Sequence, residues 1–155
     1  QFVAYAKDGG VDGVLLVDLP PEESQQLGEV LQRNEMDQIF LLAPTSTDQR
    51  IQHVVDQASG FVYYVSLKGV TGAASLDISE AAARIAKIKT KTPVPVGVGF
   101  GISDAASAKA MGQVADAVIV GSAFVKNFAN LPADEAVQQT VNKVKELRAA
   151  LDELV

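Results

Sequence analysis

Short apolar runs alternate along this chain with amphipathic stretches of period 3.6. That is the pattern of βα units built around a parallel sheet. The runs that predict strands cover residues 14–17, 39–42, 61–65, 94–98 and 117–120. Residues 1–7 read as the last turns of a helix. A second helix is predicted from about Glu22, with Leu27, Val30 and Leu31 on one face and acids in the first turn that suit its dipole. Thr47 is placed to cap a third, whose Ile51, Val54, Val55 and Ala58 recur at helical spacing. Asp77-Ile78-Ser79-Glu80 resembles a capping box for a fourth, with Ala82, Ile85 and Ile88 inward. A small Ala-rich helix is predicted after the fourth strand, and a short one with Phe124, Val125 and Phe128 after the fifth. The last runs from about Ala133 to Leu154, with Val137, Val141, Val144, Leu147, Leu151 and Leu154 as its stripe.

Each predicted strand is continuously apolar, which implies a sheet covered on both faces. Two architectures meet that condition, the open doubly wound sheet and the (β/α)8 barrel. A lone five-stranded sheet of flavodoxin type fits 155 residues, a length suited to one domain. Composition narrows the partners. A net charge of −6 and a pI near 4.7, with no basic stripe, argue against nucleic acid. No run of about 18 apolar residues predicts a membrane span, and no secretory signal is visible. The chain has no cysteine and a single histidine, His53, so neither a disulfide framework nor a metal site is expected. This usage suits the cytoplasm, the expected location.

The candidate chemistry gathers where predicted strands end. Residues 65–75, VSLKGVTGAAS, run from the third strand into a loop in which Gly69 and Gly72 bracket Val70 and Thr71. The fourth strand ends in Gly99-Phe100-Gly101-Ile102-Ser103 and the fifth in Gly121-Ser122, each followed at once by a helix. Glycine beside a helix N-terminus leaves bare N–H groups that favour an anion, and Ser122 adds a hydroxyl donor. A glycine after a strand is also often no more than a turn. In barrels, phosphate sites are frequently made by the loops after the last two strands, and these would be those strands.

In these stretches the sequence resembles the family of tryptophan synthase α subunits. The resemblance is carried by VDGVLLVDLPPEES at 11–24, IFLLAPTST at 39–47, YYVSLKGVTG at 63–72, VGVGFGISD at 96–104 and DAVIVGSAFVK at 116–126. It implies a (β/α)8 barrel, present here as about five parallel strands with flanking helices, the fourth to eighth of the full set. By the same resemblance the substrate is indole-3-glycerol phosphate, cleaved to indole and glyceraldehyde 3-phosphate. The partner is a β subunit that carries pyridoxal phosphate, and this subunit has no cofactor of its own. Gly72, Gly101, Gly121 and Ser122 would then cradle the phosphate, and Tyr63 and Phe100 would wall the indole pocket. Thr71 would support the catalytic aspartate from a closing lid. Lys68 stands where the family often has another residue and is expected to be solvated.

The resemblance also implies an acid–base pair, a glutamate and an aspartate, whose motif does not occur in these 155 residues. The expectation is therefore a single domain, 1–155, that lacks about three N-terminal βα units and is inactive alone. Within the chain, Asp18 is the carboxylate nearest a strand end. Glu22 and Glu23 read as dipole-matching charges, and His53 as a solvated surface group. Two other readings stay open. One is another phosphate-binding barrel, such as an aldolase or phosphosugar isomerase, although no lysine lies within a predicted strand. The other is a non-catalytic module that binds phosphate or a protein partner, against which stand two unpaired sheet edges.

Overall fold

The computed structural model describes residues 1–66, 78–99 and 101–154. Its elements are α1 (Phe2–Asp8), β1 (Gly13–Leu15), a 3₁₀ turn (Pro21–Glu23), α2 (Gln25–Arg33), β2 (Asp37–Leu42), α3 (Asp48–Gln57), β3 (Val62–Val65), α4 (Ile78–Lys89), β4 (Val96–Gly99), α5 (Ala105–Gly112), β5 (Ala117–Ile119), α6 (Ser122–Asn130) and α7 (Ala133–Asp152). Every predicted strand is present, shifted by a residue or two at its ends. Thr47 caps α3 as expected, its hydroxyl accepting from Arg50 N at 3.2 Å. The capping box read at Asp77 begins outside the described residues.

All strand pairings are parallel and the order is β1-β2-β3-β4-β5, with no reversal. This excludes a flavodoxin-type sheet, whose strand order must reverse. Crossovers of one hand in an unreversed sheet put every helix on the same side. Packing agrees. Phe40, Leu42, Val62, Tyr64, Val96 and Val98 form one core with Ile51 and Val54 of α3 and Ile85 and Ile88 of α4. The other face carries Ile39, Leu41, Tyr63, Val65 and Ile119, all only half-buried. The helix-facing side is thus fully covered, while the inner positions of β2 and β3 in this part of the barrel are half-buried. A parallel sheet in chain order, helices outside and an apolar inner face, is a segment of (β/α)8 wall.

The two ends of the sheet are apolar and open. Beside β1, Phe2, Tyr5, Leu16 and Val17 are exposed, and beside β5 so are Val125 and Phe128 of α6. The predicted stripe of α7 divides. Leu147 is buried, whereas Val137, Val141 and Val144 are exposed on the same open flank. On α4 the inward alanine is Ala81 rather than Ala82, and Val30 of α2 faces water.

Asp116 fixes the entry to the last two strands. One carboxylate oxygen accepts from Lys89 Nζ at 2.6 Å and the other from Val96 N at 2.9 Å. Burial opposes ionisation, but the Lys89 ammonium and the Val96 N–H outweigh it and hold the carboxyl below its ordinary value. A depressed folded value adds stability above the unfolded pKa of 3.8, and that stability is lost as pH falls through the folded one. Asp116→Ala is expected to cost about 1 kcal/mol at neutral pH, mostly the bond to Val96 N, since a half-exposed ion pair adds little. Urea midpoints of the two proteins, well apart at neutral pH, should converge below pH 3.8.

Candidate functional site

The sheet register gathers the candidate residues at one end. Val65 pairs with Gly99, and Gly99 pairs with Ile119. Gly101 and Gly121 therefore leave neighbouring strands at the same height, two residues past that pair. Tyr63 lies on the inner face with its ring across β4. A Cβ at Gly99 would stand 2.7 Å from Tyr63 Cε2 and 2.9 Å from Cζ, so any side chain there must move the ring from this seat. Burial pushes the Tyr63 hydroxyl above its ordinary 10.0, which keeps it neutral at physiological pH.

Ser66, at the exit of β3, was not singled out by its sequence position. Its N–H and its hydroxyl both donate to the Gly99 carbonyl, at 3.0 and 2.9 Å. This double clamp ties the two strand ends that carry Tyr63 and Gly101. The available signal was a small hydroxyl residue closing an otherwise apolar run.

The two helix N-termini predicted to favour an anion differ. At α5, Asp104 accepts from Ser107 N at 2.8 Å, while Ser107 Oγ takes the N–H groups of Ser103 and Asp104. That terminus is closed by its own side chains, and the Ser107 N–H holds the Asp104 carboxyl below its ordinary value. At α6, Gly121 is the N-cap and no side chain among the described residues caps the helix. Its carbonyl takes the N–H groups of Phe124 and Val125, and those of Ser122 and Ala123, in the first turn, have no partner among the described residues. Gly121 and Ser122 are both exposed. Among the described residues a Cβ on Gly121 would meet nothing within 4 Å, so their packing gives no reason for glycine there. Gly101 adopts the left-handed φ of +79° that favours glycine. Thr71, Gly72, Lys68 and Phe100 lie outside the described residues.

The carboxylates within the chain stand elsewhere. Asp18 is exposed in the turn after β1. Glu22 is more than a dipole charge. Its two oxygens lie 3.2 Å from Arg50 and 3.2 Å from His53 Nδ1, clasping the 3₁₀ turn to α3. A backbone N–H bond and the His53 contact hold its carboxyl below the ordinary value. His53 is accordingly half-buried and paired rather than free in solvent. Among the described residues no group of three or more His, Asp or Glu could hold a metal ion, and no helix is long and apolar enough to cross a membrane.

The family profile described as tryptophan synthase alpha chain matches residues 1–155. The tryptophan synthase alpha chain of Acinetobacter baumannii is 82% identical over 155 residues, which is 100% of this chain and 58% of the relative. That of Janthinobacterium sp. is 52% identical over 153 residues, 99% of this chain and 58% of the relative. Among solved structures, tryptophan synthase subunit alpha from Legionella pneumophila superimposes with a TM-score of 0.82 at 31% identity, over 98% of this chain and 56% of that one. The tryptophan synthase complex from Pyrococcus furiosus gives 0.80 at 34%, over 96% and 59%. This chain spans 58% of the length of its curated relatives, and its five strands form part of the barrel. With the whole of its length matched by one profile, the chain belongs to the tryptophan synthase alpha chain family.

Proposed function

We propose that the protein is a lyase that cleaves indole-3-glycerol phosphate to indole and glyceraldehyde 3-phosphate, and that these residues form its phosphate subsite and part of its indole pocket. The observation that carries this reading is the uncapped N-terminus of α6, with Gly121 open beside it where packing asks for no glycine. Ser122 and the first N–H groups of α6 hold the phosphate, with Gly101 and Gly72 lining the same cradle. Tyr63, seated against Gly99, and Phe100 wall the indole. Thr71 steadies the catalytic aspartate from the lid loop.

In the cleavage, the hydroxyl on the carbon next to the ring loses its proton and becomes a carbonyl. The bond from that carbon to ring C3 breaks, and C3 is left with an added proton. The motif for the acid and base is absent from the 155 residues, so both groups come from elsewhere in the polypeptide, in βα units that complete the single domain. This subunit needs no cofactor. Its partner is a β subunit, which carries pyridoxal phosphate; the complex named for the Pyrococcus furiosus structure favours such an assembly.

The test is indole release from indole-3-glycerol phosphate, measured for the 155-residue chain and for the full-length protein. Release by the full-length protein alone is the expected result. Release by the short chain at the same rate would overturn the placement of the acid and base. No release by either would overturn the reaction.

A further inference from the structure

Strand β4 turns two glycines to the inner face. Val96 and Val98 point into the helix-side core, so Gly97 and Gly99, which alternate with them, face the other way, and both are buried. A glycine inside a strand weakens it and marks a place where another group comes close. Barrel interiors usually carry bulky side chains at such positions. Here the neighbouring strands supply them. Gly99 seats the Tyr63 ring. At Gly97 a Cβ would stand 3.0 Å from Ile119 Cδ1, and 3.3 and 3.4 Å from Cδ2 and Cε2 of Phe61.

Phe61 lies just before β3. Val62 pairs with Val96, so Phe61 falls beside Pro95, while Tyr63 pairs with Gly97. Each ring therefore reaches one inner position further along β4 than its own backbone, Phe61 to Gly97 and Tyr63 to Gly99. The two rings lean the same way, the Phe61 ring about 6.6 Å beneath the Tyr63 ring along the strand. The lower layer is closed from both sides, by Phe61 ahead of β3 and by Ile119 from β5, whereas among the described residues the atoms nearest a Cβ on Gly99 all belong to Tyr63. We propose that Phe61 is a specificity-determining residue: its ring, with the tip of Ile119, floors the indole pocket one layer beneath Tyr63 and limits the size of ring that fits. This rests on the lyase reading, in which Tyr63 walls that pocket. The phosphate subsite of that reading lies past the strand ends, so a substrate held there with its indole against Tyr63 extends down toward this layer. Phe61 and Ile119 present only carbon, so the floor discriminates by size and not by hydrogen bonding.

The experiment compares the full-length protein with its Phe61→Ala and Phe61→Leu variants. It measures kcat/KM for indole-3-glycerol phosphate and for the analogues methylated at ring position 5 or 6. One methylene in an apolar pocket changes discrimination by about 10–200-fold. Phe61→Ala should therefore raise kcat/KM for the better-accepted analogue, relative to the parent, by about tenfold or more. Phe61→Leu, which removes less of the floor, should raise it less, and it keeps an apolar side chain in place should the alanine variant fold poorly. A loss of folded protein scales both substrates alike and leaves their ratio unmoved. An unchanged ratio in both variants, with the unsubstituted protein cleaving the parent, would overturn the floor and leave the lyase standing. No cleavage of the parent by the unsubstituted protein would overturn the lyase reading and this inference with it.

Discussion

Gly121→Asp is expected to leave the fold intact and to abolish productive substrate binding. A Cβ at 121 meets no neighbour within 4 Å among the described residues, and aspartate is among the preferred helix N-caps, so stability should hold or rise by a few tenths of a kcal/mol. The same carboxylate would occupy the bare N–H groups of α6 and repel a phosphate dianion. Losing two charge-assisted hydrogen bonds of about 1.5–3 kcal/mol each predicts at least about a hundredfold fall in kcat/KM for indole-3-glycerol phosphate. Urea unfolding and steady-state kinetics on the same preparation check both halves. A variant that keeps its kcat/KM would remove α6 from the phosphate subsite. One that unfolds would show that Gly121 serves the fold after all.

Gly99→Val is expected to give the largest loss of stability of any single change at the site, about 3 kcal/mol. Added atoms at the buried Gly99 must displace the half-buried Tyr63 ring, and overpacking of this kind costs about 1–3 kcal/mol for a methylene or two. Backbone adjustment offers little relief, because two donors of Ser66 hold the Gly99 carbonyl. The displaced ring would also leave the pocket wall, so catalysis should fall with stability. A double-mutant cycle isolates the cause. In a Tyr63→Ala background, where the ring is gone, Gly99→Val should cost at least about 1 kcal/mol less than it does alone. Additive costs would mean that the clash with Tyr63 is not what glycine avoids.

The element order was legible in the sequence because each strand is a compact apolar run and each helix has a clear period, as Ile51, Val54 and Val55 show. The choice between barrel and doubly wound sheet was not. Apolar runs read the same in both, and only pairing in chain order separates them. Continuous apolarity also hid the difference between the helix-facing Val62 and Tyr64 and the half-open Tyr63 and Val65. Glycine motifs marked the strand ends correctly, but they could not tell a self-capped terminus from a bare one. That distinction depends on Asp104 reaching Ser107 at α5 and on no side chain reaching back at α6. Tertiary pairs such as Glu22 with His53, or Gly28 with Gln38, lie in different elements and leave no periodic trace.

The unreversed strand order has a consequence for how the molecule is made. Each strand pairs only with the ones before and after it, Gly13 with Asp37, Phe40 with Val62, Val62 with Val96 and Gly97 with Ala117. Every loop to be closed is therefore a few tens of residues long, and its entropic cost grows only slowly with length. A chain leaving the ribosome can add one βα unit at a time to a finished edge, with no strand waiting for a distant partner. Only the final seam of a barrel demands contact between its first and last strands. The slow, sequence-distant step in the birth of this protein is expected to be that closure.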